Sequence, residues 1–209
     1  MKFFFLFLLF VPVSLISCNS GTTQDSSSTD SLKKDSSKRS ITLNDDALLV
    51  ISKDSSKLDS AIMLTEKALQ LDFNNLIAHI NRLSWLCKAQ KYPEAFTEIE
   101  ILDKMEPNNS ETIFLHGLLA EKLSNIGLAR VKYKEAFLLN DKRFKEMDSD
   151  DKMFQLARAN WAINLYFLDE MSGKKEFNKI NSEYPGNKTA ADFLSLNRNK
   201  LLTEVIQNR

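Results

Sequence analysis

From about residue 42 onward, apolar positions recur at spacings of three and four with polar residues between them. That is the period of a helix buried along one face, whereas a half-buried strand would alternate every second residue. Short polar stretches interrupt the pattern at KDSSK (53–57), DFNN (72–75), QKYP (90–93), EPNN (106–109), SNIG (124–127), DKRFKEMDSDD (141–151), MSGK (171–174) and EYPGNK (183–188). The intervening segments predict about nine helices, mostly about 12–18 residues long, and no strand.

Three of the breaks are periodic. Leu71-Asp72-Phe73-Asn74-Asn75 and Met105-Glu106-Pro107-Asn108-Asn109 lie 34 residues apart, and a further 34 leads to Leu139-Asn140-Asp141. The same step relates Ala61, Ala95 and Ala129, and again Ala68, Leu102 and Ala136. Alanine suits places where two antiparallel helices approach closely. Pro93 fits the first turn of a helix, where its missing N–H costs nothing. Pro107 ends the preceding helix, and Asn109 or Ser110 can cap the next.

A 34-residue helix–turn–helix period, with the segment KYPEAFTEIEILDKMEPNN (91–109) and the set Gly117, Ala129, Tyr133 and Ala136, resembles the tetratricopeptide (TPR) repeat family. The resemblance implies an all-α, TPR-like α-solenoid of about four helix pairs plus a C-terminal capping helix. Its pairs fall at about 42–75, 76–109 and 110–143, within a repeat domain of 42–209. A divergent pair at 151–184 lacks the period. The cap spans 188–207, with Ala190, Phe193, Leu194, Asn197, Leu201 and Val205 on one stripe.

Upstream, Lys2 precedes an apolar run from Phe3 to Ile16 broken only by Pro12 and Ser14. A membrane-spanning helix needs about 20 apolar residues, so this run suits an export signal instead. Leu15-Ile16-Ser17-Cys18 resembles the lipobox of bacterial lipoproteins. That resemblance implies a signal peptide at 1–17 and a lipidated Cys18 as the first mature residue, held by several acyl chains. Asn19 is not the Asp that favours inner-membrane retention, which points to the outer membrane of a bacterial envelope. Residues 18–41 are expected to be a disordered tether, since half of the positions 19–40 are Ser or Thr. KDSSK occurs there at 34–38 and again at 53–57, a recurrence that compositional bias explains.

Composition narrows the chemistry. The chain has 28 basic and 28 acidic residues, so nothing favours nucleic acid. With Cys18 acylated, Cys87 is the remaining cysteine, and no intramolecular disulfide is expected. His79 precedes Cys87 by eight residues, about 12 Å along a helix, too far for a Cys–His pair. No metal set or cofactor motif is present, and no catalytic residue or cofactor is assigned. Asp148, Asp150 and Asp151 are expected to cap the helix that follows. Trp85, Trp161, Tyr166 and Phe167 read as inter-helix packing.

In TPR proteins the first helix of each pair builds the inner surface. Mapping that face gives Ile77, Ile80, Asn81, Ser84 and Lys88, then Glu111, Phe114, Leu118 and Lys122. The residues assigned to partner binding are Ile80, Asn81, Ser84, Lys88, Phe114, Leu118 and Lys122. They would suit an extended peptide or a helix of another envelope protein. The family's carboxylate clamp is disfavoured, because only Asn81 matches it while Glu111 and Leu115 stand where basic residues are wanted. The expected function is a lipid-anchored, non-enzymatic scaffold. The alternative is a small-molecule or glycan-binding surface lipoprotein, for which a chain nearly filled by helices leaves little room.

Overall fold

The computed structural model describes residues 27–149 and 153–208, with side chains from Leu32 onward. The signal, Cys18 and the start of the tether lie outside the described residues. Among the described residues are ten helices and no strand. These are α1 (Ser27–Lys53), α2 (Leu58–Leu71), α3 (Leu76–Lys88), α4 (Tyr92–Met105), α5 (Ser110–Lys122), α6 (Ile126–Lys145), α7 (Phe154–Leu168), α8 (Glu170–Glu183), α9 (Lys188–Ser195) and α10 (Arg198–Gln207). The chain divides into an N-terminal unit that runs to Trp85 and a larger unit spanning Leu86–Gln207.

In the N-terminal unit α1 packs along α2. It begins at Ser27, well inside the expected tether, which corrects the boundary at 42. Small polar residues dock this extension rather than leaving it in water. Ser36 Oγ donates to the Leu71 carbonyl at 2.6 Å, and Ser37 Oγ donates to the Asp72 carboxylate. Ser40 Oγ accepts from Asn75 Nδ2 at 2.9 Å, and Asn44 Oδ1 accepts from Asn81 Nδ2 at 2.9 Å. Ser40, Asn44 and Ala47 are buried. Composition suggested disorder because few of these residues are apolar; one hydrogen-bonded face supplies what apolar area would otherwise supply.

The repeat register appears in what is buried. Ala61, Thr65 and Ala68 on α2, Ala95, Ile99 and Leu102 on α4, and Ala129, Tyr133 and Ala136 on α6 are all buried, each set 34 residues after the last. Gly173, Phe177 and Ile180 on α8 repeat the same spacing and are buried too. They follow Ala129, Tyr133 and Ala136 by 44 positions, ten more than the period. The fourth pair is therefore in register within itself, over 154–187, and offset by a ten-residue insertion. The pair placed at 151–184 thus lies three residues later, and its step from the third pair is 44 rather than 34 residues. The insertion is taken up where α6 runs to 20 residues and a turn follows it.

The turns carry the same register. Asn75 and Asn109 each donate their backbone N–H to the carbonyl three residues earlier, Asp72 and Glu106, and each side chain caps the next helix. Asn187 does the same after Tyr184-Pro185-Gly186. Gln90 (φ 59°) and Ser124 (φ 65°), also 34 apart, close α3 and α5 in left-handed conformation. Lys91 N–H bonds to Leu86 C=O and Asn125 N–H to Ala120 C=O, completing Schellman turns without glycine.

Three local expectations change. MSGK (171–174) is not a break: Asp169 separates α7 from α8 and caps α8 by accepting from Met171 and Ser172 N–H. Gly173 is small for packing, not for turning. The N-cap position of α7 is Met153, which makes no side-chain cap; of the acidic residues expected there, Asp150 and Asp151 lie outside the described residues. The expected cap at 188–207 is two helices. Leu196 is extended (φ −90°, ψ 148°), and Asn197 Oδ1 accepts from Lys200 N–H to start α10.

Candidate functional site

Within the C-terminal unit, neighbouring helices pack α4 on α5, α5 on α6, α6 on α7, α7 on α8 and α8 on α9. An aromatic core runs through it. Phe114 lies 5.5 Å from Phe167 and 5.7 Å from Tyr133, and Tyr166 meets Phe193 edge-on at 5.2 Å. Phe177 and Phe193 stack at 4.6 Å, so α9 covers α8 as a cap should. Each ring buried this way contributes about 1.5–3 kcal/mol by area alone. Trp85, Tyr166 and Phe167 are buried, while Trp161 is half-buried, stacked on Phe144 and bonded through Nε1 to Asp141. These rings are packing elements. Among the described aromatics Phe73 is the exposed one, edge-on to His79.

α10 does not continue the cap. It turns back and lies against α5. Arg198 Nε and Nη2 donate to the two carboxylate oxygens of Glu121 at 2.7 and 2.8 Å, a bidentate pair. The same guanidinium donates to the Phe167 and Tyr166 carbonyls at the end of α7, at 2.9 and 3.3 Å, and its carbon sits 4.9 Å from the Phe167 ring. Tyr133 Oη donates to Glu121 at 2.7 Å. Burial alone would raise the Glu121 carboxyl. The Arg198 guanidinium and the Tyr133 hydroxyl outweigh it and hold that carboxyl below the usual carboxylate range. Further along, Lys122 Nζ donates to Thr203 Oγ1 at 2.9 Å and stands 5.1 Å from the Tyr92 ring. Gln207 reaches Tyr92 Oη at the start of α4. Leu201, Leu202, Val205 and Ile206 are buried.

The residues assigned from sequence now have places. Phe114 is buried against the Tyr133 and Phe167 rings, Leu118 is buried, and Lys122 is engaged by α10, so this part of the expected inner face is covered within the chain. It is not the open surface expected from the mapping. In the N-terminal unit Ile80 and Ser84 are half-buried, and Asn81 is bonded to Asn44. Lys88 is exposed. Sequence reasoning missed Glu121 and Arg198, which lie 77 residues apart with no local pattern joining them. Asn197, a capping residue without an adjacent glycine or proline, was the available sign that α10 starts afresh.

Other polar clusters tie helices together. Asp103 on α4 accepts from His116 Nδ1 on α5 and Lys132 Nζ on α6, both at 2.8 Å. Arg158 on α7 bridges Glu176 and Glu183 on α8. Cys87 is fully buried, and burial pushes its thiol up to about 12, opposite to the direction an activated thiolate needs. No group of three or more potential metal ligands occurs among the described residues. No helix among them is long and apolar enough to cross a membrane.

No family model matches the sequence, and no curated protein matches it. Among solved structures the chain is similar to YrrB, described as a TPR protein with an unusual peptide-binding site, at a TM-score of 0.51 and 19% identity over 87% of this chain and 84% of that one. The fold is thus of the all-α, TPR-like α-solenoid class, with TPR-like repeats.

Proposed function

We propose that this chain is a lipid-anchored protein of the bacterial envelope that serves as a non-enzymatic scaffold, docking a helix or extended peptide of a partner protein on the inner face of its repeats. The observation that carries the docking part is α10 itself: Glu121 of α5 and its neighbour Lys122, a residue of the mapped inner face, hold an amphipathic helix. The fold likeness to a TPR protein with a peptide-binding site supports the same reading. The anchor rests on Leu15-Ile16-Ser17-Cys18, and the outer membrane on Asn19 standing where the Asp that favours inner-membrane retention would be. Two or more acyl chains hold a protein stably where a single chain holds it marginally.

The test has two arms in intact cells. Cys18→Ser should move the protein from the membrane fraction to the soluble fraction; unchanged partitioning would refute the anchor. A photo-crosslinking residue at Lys88 should give a discrete protein adduct that the same probe at Lys134, an exposed residue of α6, does not. Equal adducts from both positions would refute docking on the inner face.

A further inference from the structure

The seat of α10 has a specific chemistry. It combines one carboxylate, Glu121, two backbone carbonyls, Tyr166 and Phe167, and the Phe167 ring, all converging on a single guanidinium. Glu121 is largely buried, with 13% of its side chain accessible. Removing Arg198 would leave that carboxylate with Tyr133 Oη as its remaining hydrogen-bond partner in the cluster. A buried carboxylate deprived of its cation is strongly unfavourable. The seat therefore needs an arginine from somewhere.

α10 is suited to leave and be replaced. It has ten residues, whereas an isolated helix in water needs roughly 12–15 to be even marginal. It holds its shape against α5 and follows α9 through just Leu196 and Asn197. Its sequence presents Arg198 and then Leu201, Leu202, Val205 and Ile206, a cation followed by an apolar stripe at i+3, i+4, i+7 and i+8.

We propose that α10 is an exchangeable intramolecular ligand, and that the partner of this face is an amphipathic helix of the same chemistry: an arginine for Glu121, then paired aliphatic residues one and two turns later. While α10 is seated, a partner meets the site only in the fraction of molecules whose α10 is displaced, and its apparent affinity falls by that fraction. This proposal rests on the helix-docking reading of the inner face.

The probe is a fluorescent peptide of residues 197–208, titrated against the full chain and against full chain carrying Arg198→Glu, with amide hydrogen exchange followed on α10. Arg198→Glu sets two carboxylates against each other, so α10 amides should exchange faster and the peptide should bind at least about tenfold more tightly than to the unaltered chain. A peptide with the same Arg→Glu change should not bind. If Arg198→Glu fails to fold, Thr203→Lys places a like charge opposite Lys122 at a half-buried rim position, and a severalfold tightening is expected from it. Released α10 without tighter peptide binding would overturn the proposal. If the Lys88 adduct persists in that case, docking stands and only the exchange fails; if both are lost, the docking reading falls with it.

Discussion

A Cβ added at Gly173 would lie 2.3 Å from Tyr166 Cα, on backbone that cannot move aside without shifting α7. A Cβ at Gly127, in the first turn of α6, meets nothing within 4 Å. Helix propensity favours alanine by about 1 kcal/mol at either place, so the surroundings decide the sign. Gly127→Ala should raise stability by up to about 1 kcal/mol. Gly173→Ala should lower it by about 1–2 kcal/mol, an overlap cost near the upper end of about 1–3 kcal/mol less a propensity gain of about 1 kcal/mol. Denaturant melts of both variants check this, and a stable Gly173→Ala would show that α7 and α8 do not approach so closely. Sequence reasoning took Gly173 for a helix breaker because glycine's two uses, turning and close approach, look the same in one chain. The periodic alanines were easier to read, since 34-residue spacing and small size point to the same cause. Asn109 was legible for a similar reason: its side chain acts on backbone two and three residues away.

Helices with a clear apolar stripe were placed closely from sequence. α2, α4 and α5 fall where the breaks put them. Misjudged elements depend on polar contacts or on partners distant in sequence. α1 is the main case, because its docking face is serine and asparagine. Ser40→Leu would bury a larger side chain at a filled site and leave Asn75 Nδ2 without its acceptor, costing about 1–3 kcal/mol. Amides of residues 32–44 should then exchange much faster, while those of α7 and α8 keep their protection. Unchanged protection of α1 would mean that its serine face does not hold it. α10 was likewise invisible as a separate element. Its apolar residues continue the stripe of α9, and only the cap at Asn197 divides them.

Considered as a whole, the protein has four described carboxylates in its C-terminal unit that are both paired with cations and depressed. Burial raises Asp103, Glu121 and Glu176, but the cations beside them outweigh it and lower all three; Arg158 lowers Glu183 directly. A carboxyl lowered in the folded state gives stability that is present above its unfolded pKa and lost as pH falls through the folded value. Unfolded values of 4.5 for glutamate and 3.8 for aspartate set the start of the loss. Stability should therefore hold at neutral pH and decline as the pH drops below about 4.5. Glu121→Gln should be less stable at pH 7 and show a shallower acid decline. Thermal melts from pH 7 to pH 3 check both, and parallel curves for the two proteins would rule out a role for the Glu121–Arg198 pair.

KDSSK shows where local information ends. At 34–38 it lies inside α1, with Ser36 and Ser37 bonded to Leu71 and Asp72. At 53–57 it ends α1 and turns, with Asp54 accepting from Ser56 N–H and Oγ. The pentapeptide is identical, so its conformation was set by what faced it. Periodic residues such as Ala61, Ala95 and Ala129 could be read along the chain because each repeat buries the same positions against a like neighbour. The serine face of α1 and the seat of α10 were decided only on folding. Hydrogen bonds and ion pairs between residues 35 to 77 positions apart leave no local pattern.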